Sequence, residues 1–151
     1  MLQSPGPAWF TRWTEEIEPR ASVLRTWDPL LVPGLFQTED YARSVFLGAP
    51  GITADEVDER VRARVRRGAI LDGEVPPMVW ALSDEYVLRR PVAAPETMRR
   101  QLEIISDLTR RPNITVQIVA PQCTTGMRSG FMIAQLGRGQ PDTVNVESLG
   151  G

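Results

Sequence analysis

The chain has 151 residues, a formal net charge of −2 and a sequence pI of about 5.2; that length holds about one domain, and that balance excludes bulk binding to nucleic acid. Hydrophobic residues make up 42% and charged ones 24%, so a packed core is expected and disorder is not. All 17 basic residues are arginine and Cys123 is the single cysteine; without histidine or a second thiol there is no Ser-His-Asp or Cys-His arrangement, no intramolecular disulfide and no thiolate-rich zinc site.

In chain order, residues 8–17 read as a short helix with Trp9, Phe10, Trp13 and Ile17 on one side, ended by Pro19. Residues 22–27 are bulky and stop at Asp28-Pro29, as a strand or an extended arm would. Val32-Pro33-Gly34-Leu35 carries a type II turn signature. Thr38 is expected to cap a helix reaching Leu47, with Tyr41, Val45 and Phe46 turned inward.

The clearest helix is predicted over 54–71. Thr53 and Glu56 have capping-box spacing, Val57, Val61 and Val65 recur every four residues, and Gly73 follows the end. Residues 78–82 form a strand-like apolar run. A second helix over 94–108 aligns Met98, Leu102, Ile105 and Leu108 on one face. Ile114–Val119 alternates and is β-branched, and Phe131–Leu136 and Thr143–Val146 complete the β portion, with a turn over 137–142 between them. The fold class expected is α+β in a single domain: N-terminal helices, then a small mostly antiparallel sheet with one helix packed on it. No apolar run is long enough to span a membrane, and residues 1–7 lack a secretory signal, so a cytoplasmic location is expected.

Four groups could carry function. Arg60, Arg62, Arg64, Arg66 and Arg67 crowd one helix; Arg60, Arg64 and Arg67 share a face that could take phosphate or an acidic partner. The plainer alternative is dipole complementarity with Asp55, Glu56, Asp58 and Glu59, through pairs such as Glu56 with Arg60 and Asp58 with Arg62. The run Ser83-Asp84-Glu85-Tyr86 followed by Arg89-Arg90 could form a polar site at a strand end, or an internal ion pair of Glu85 with either arginine. Trp9, Trp13, Trp27 and Trp80 fit a core or an apolar pocket. Cys123 reads as an incidental exposed thiol, and Gly126 and Gly130 belong to no phosphate-cradling motif.

The stretch from Arg25 to Arg43, with Val32-Pro33-Gly34-Leu35-Phe36-Gln37-Thr38 followed by Tyr41-Ala42-Arg43, resembles the signature of an actinobacterial family. That family is the domain of unknown function found C-terminal to the helix-turn-helix of XRE-type regulators. The likeness continues through Val61-Arg62-Ala63-Arg64-Val65-Arg66-Arg67, Trp80-Ala81-Leu82-Ser83-Asp84-Glu85, Leu88-Arg89-Arg90-Pro91, Arg100-Gln101-Leu102 and Pro112-Asn113-Ile114-Thr115-Val116-Gln117. Departures are Gly68, where relatives usually have Gln, and the lack of a histidine after Pro121. Relatives also carry a helix-turn-helix, absent here, and continue past Glu147-Ser148-Leu149-Gly150-Gly151. Those missing elements are expected to leave a sheet edge or apolar surface uncovered and so to favour self-association.

The resemblance implies an accessory domain that senses a small-molecule effector or binds a small companion protein, without catalysis, cofactor, metal or membrane. Ligand or partner candidates are Arg60, Arg64, Arg67, Trp80, Glu85, Tyr86, Arg89 and Arg90. The acidic balance predicts no direct DNA binding by this chain alone; sequence-selective retardation of a promoter fragment would contradict that. The alternative is a metal-free cyclase or isomerase of natural-product biosynthesis on the same scaffold, with Glu85 or Tyr86 as acid or base. A deep apolar pocket reaching Glu85 would favour the enzyme, and a flat exposed apolar face a protein partner.

Overall fold

The computed structural model describes residues 12–123, 129–137 and 139–146. The first part of the predicted 8–17 helix, with Trp9 and Phe10, lies outside these residues, as do Gly126 and the stretch 147–151. The remainder of that helix is a π-helical turn, Trp13–Ile17, followed by a 3₁₀ turn, Glu18–Arg20, that contains Pro19.

Five strands form one sheet: β1 (Ala21–Asp28), β2 (Met78–Asp84), β3 (Ile114–Val119), β4 (Phe131–Leu136) and β5 (Thr143–Val146). Their order is β3-β2-β1-β4-β5. The fold is α+β and the sheet is mixed. β1, β2 and β3 run parallel, whereas β4 lies antiparallel to β1, and β5 to β4. The parallel half follows from the connections. Between β1 and β2 come α1 (Glu39–Leu47) and α2 (Ala54–Gly68); between β2 and β3 come α3 (Glu85–Arg89) and α4 (Pro95–Leu108). A helix-bearing connection is long enough to return the chain to the starting edge, which a tight hairpin cannot do.

Strand side chains alternate between the two faces of the sheet. On one face Leu24, Val79, Ala81, Ile114, Met132, Ala134 and Leu136 are buried together with Tyr41, Leu71, Val87, Ile105 and Leu108. The helices therefore cover this face, and it holds the core. Thr38 accepts the Tyr41 N–H and caps α1. Both halves of the Thr53–Glu56 capping box are present at α2; the bond from the Thr53 N–H, then its hydroxyl, holds the Glu56 carboxyl below its ordinary range.

Several expectations are corrected. Val57 and Val61 are buried, but Val65 is exposed, because a helical period of 3.6 residues carries the inner side of α2 on to Arg64 and Arg67 and not to Val65. Pro33-Gly34 does not form a type II turn, since Gly34 lacks the positive φ that such a turn requires at its third position. The chain instead tightens into a 3₁₀ turn, Gly34–Phe36, closed by the Phe36 N–H on the Pro33 carbonyl at 2.8 Å. The contact ion pair of Asp58 is with Arg43 of α1, while Arg62 attracts it at longer range as expected, and Glu56 closes the cap with the charge of Arg60 also acting on it.

Candidate functional site

The arginine helix proves to be anchored inward by its last turns. Arg67 forks onto Glu18, Nε to Oε2 at 2.5 Å and Nη2 to Oε1 at 2.7 Å. The Glu18 side chain is fully buried and that of Arg67 is only 9% exposed. Trp13 Nε1 also donates to Glu18 Oε1, at 3.4 Å, and Arg67 Nη2 lies 3.6 Å from the Met132 sulfur. One turn earlier, Arg64 donates to Gln37 Oε1 at 3.0 Å and lies over the Phe46 ring, 5.2 Å from its centroid. Arg60 is exposed.

The 32–38 segment is what these arginines grip. Val32 offers its N–H to the Tyr41 hydroxyl at 3.2 Å and its carbonyl to Gln37 Nε2 at 2.8 Å. Burial holds the Tyr41 phenol above its ordinary value, the Val32 N–H opposing that shift. Gln101 of α4, fully buried, donates to the Phe36 carbonyl and accepts from the Thr38 N–H, each at 2.7 Å. Gly34 is required by space: a Cβ there would lie 2.9 Å from Nη1 of both Arg64 and Arg67. Both guanidinium groups are held elsewhere and cannot simply swing away. Gly34→Ala is therefore expected to lower stability by about 1–3 kcal/mol in chemical denaturation; an unchanged midpoint would mean that the two arginines shift freely.

The predicted cluster after Trp80 lies at the surface, so the expectation of an internal ion pair is corrected. Residues Glu85–Arg89 form a short helix capped by Asp84, which accepts the Tyr86 N–H at 2.8 Å. Glu85 does pair with Arg89, but the Arg89 side chain is 73% exposed, so the pair is not internal. Tyr86 and Arg90 are exposed too. Glu85→Gln is accordingly expected to leave stability within about 1 kcal/mol, because a solvated ion pair contributes little; a loss above about 3 kcal/mol would contradict this placement.

Of the tryptophans, Trp13 and Trp27 are buried and Trp80 is 46% exposed. Trp80 belongs to the sheet face opposite the helices. Strand register builds one row across that face: Thr115, Trp80, Arg25, Ile133 and Val144. Met78, Phe131 and Val146 are exposed on the same side. Arg25 lies over the Trp80 ring, 5.2 Å from its centroid. The face is closed at one corner, where Trp27 is buried with its indole Nε1 unpartnered; Ser83 Oγ, buried on the helix side, is unpartnered as well.

Cys123 is exposed. Among the described residues, no group of three or more carboxylates, histidines or cysteines could hold a metal ion, and no helix is long and apolar enough to cross a membrane.

Sequence reasoning missed Glu18, Gln37 and Gln101 as determinants. Their signals were present: an acid flanking Trp13 and Ile17, and two glutamines inside the stretches that carried the family likeness. Residues 12–151 match the family described as "Domain of unknown function (DUF5753)". No curated protein and no solved structure matches the chain.

Proposed function

We propose, from the premise that this chain belongs to the DUF5753 family, that it is a non-catalytic regulatory module of XRE-type transcription factors. Its open sheet face receives a protein partner, and the binding event is passed to a helix-turn-helix. The observation that carries this reading is the exposed apolar face itself. Folded proteins seldom expose a group of large apolar side chains without a use for it, and here Met78, Trp80, Phe131, Val144 and Val146 share one side of the strands. The signature arginines Arg64 and Arg67 are occupied within the fold, which speaks against the helix face they share as the binding surface. A protein partner fits an exposed strand face better than a small effector does, since small molecules need concavity to be enclosed.

The test uses a regulator that carries this chain beside an XRE-type helix-turn-helix, with a transcriptional reporter. Trp80→Asp and Val144→Asp are expected to uncouple regulation at unchanged protein abundance, whereas Arg60→Asp is expected to leave it intact. Normal regulation by both sheet-face variants would overturn the proposal.

A further inference from the structure

At the centre of the apolar face stands a cation. Arg25 is on the middle strand, flanked in register by Trp80 on one side and Ile133 on the other. Among the described residues no carboxylate pairs with it and no acceptor is bonded to it; its one contact of this kind is the indole beneath. A cation over a ring face uses none of the five N–H donors of the guanidinium on an oxygen acceptor. A carboxylate is the group that satisfies such donors, through a bidentate fork.

We infer that the sheet face docks an amphipathic helix of a protein partner, with an Asp or Glu of that helix forked onto Arg25. Its apolar side chains pack on Trp80, Ile133 and Val144. This deepens the reading above and rests on it. The charge position selects the chemistry. A wholly apolar partner would bury Arg25 unpaired, which is costly, and a basic one would add repulsion. The shape selects the helix, because a sheet with helices on one face is completed by a helical layer on the other. Five strands about 4.8 Å apart make a row of roughly 19 Å, the length of about 13 helical residues. Such a helix presents anchors spaced three and four residues apart, with the acid among them.

The experiment is a display library of helical peptides of about 16 residues, long enough to cross the row, selected in parallel on the wild-type chain and on Arg25→Glu. The wild-type selection is expected to enrich peptides with Asp or Glu between apolar residues at helical spacing. Their affinity is expected to fall at least about 30-fold on Arg25→Glu and nearly as far on Arg25→Gln. Selection on Arg25→Glu is expected to enrich Lys or Arg at the same place. Circular dichroism and a denaturation midpoint establish that both variants fold.

Enriched peptides that need no acid, yet lose binding on Trp80→Asp or Val144→Asp, would overturn the acid anchor and leave the partner face standing. Peptides indifferent to all these substitutions, or no enrichment, would overturn both. A concentration-dependent dimer abolished by Val144→Asp would place a second copy on the face and equally overturn the inference.

Discussion

Glu18→Gln is expected to cost about 3–5 kcal/mol of folding stability, the largest effect of any charge change among the described residues. Glu18 lies at the end of the N-terminal turns and Arg67 at the end of α2, so their fork fastens two distant parts of the chain. Both side chains are out of water. Removing one charge leaves the other desolvated without its partner, and that penalty, more than the lost attraction, sets the magnitude. Gln also offers one acceptor oxygen where the fork and the Trp13 indole use two. A native domain is stable by roughly 5–15 kcal/mol, so such a loss takes a large share of the total. Arg67→Met should cost a similar amount. The double change Glu18→Leu with Arg67→Met should cost less than the sum of the two singles, because it strands no charge. Urea denaturation of the three variants measures this; a Glu18→Gln midpoint within about 1 kcal/mol of wild type would contradict a buried fork.

Gln101→Leu is expected to cost roughly 2–5 kcal/mol, although the two side chains are close in size. The amide of Gln101 is fully buried and serves both partners at once, the Phe36 carbonyl and the Thr38 N–H. Leucine would fill the space and leave two backbone groups unsatisfied, at about 1–3 kcal/mol each. The effect should be local before it is global. The amide of Thr38, and with it the cap of α1, should lose hydrogen-exchange protection in Gln101→Leu well below the unfolding midpoint. A variant as stable as wild type, with Thr38 still protected, would show that water or a neighbour replaces the glutamine.

These two results frame how much the residues disclosed by themselves. Periodicity located the strands Ile114–Val119, Phe131–Leu136 and Thr143–Val146 and the α2 cap, because alternation and capping are local properties. The parallel half of the sheet is a property of the connections, and the helices predicted at 38–47 and 94–108 were those connections. The role of Gly34 was hidden because Pro-Gly carries a strong turn signal of its own; what decides it is two guanidinium groups from a helix some 30 residues on. Arg64 and Arg67 looked like a binding face because spacing reveals a shared side of a helix and not what that side meets. Trp80 is the reverse case. Its strand placed it correctly, but only the strand order shows that its neighbours are Arg25 and Thr115, on the face opposite the described helices. Glu85 found the partner expected of it, Arg89, at the surface and not in the interior.

The division of labour, signature arginines inside the fold and partner on the sheet, is tested most directly by site-resolved photo-crosslinking in cells. A photoreactive phenylalanine analogue is placed singly at Trp80, Val144, Arg60 or Arg66 in a regulator carrying this chain. Crosslinks to a second protein are predicted from positions 80 and 144, with none from 60 or 66. Crosslinks from Arg60 and Arg66, with the sheet positions silent, would contradict the account.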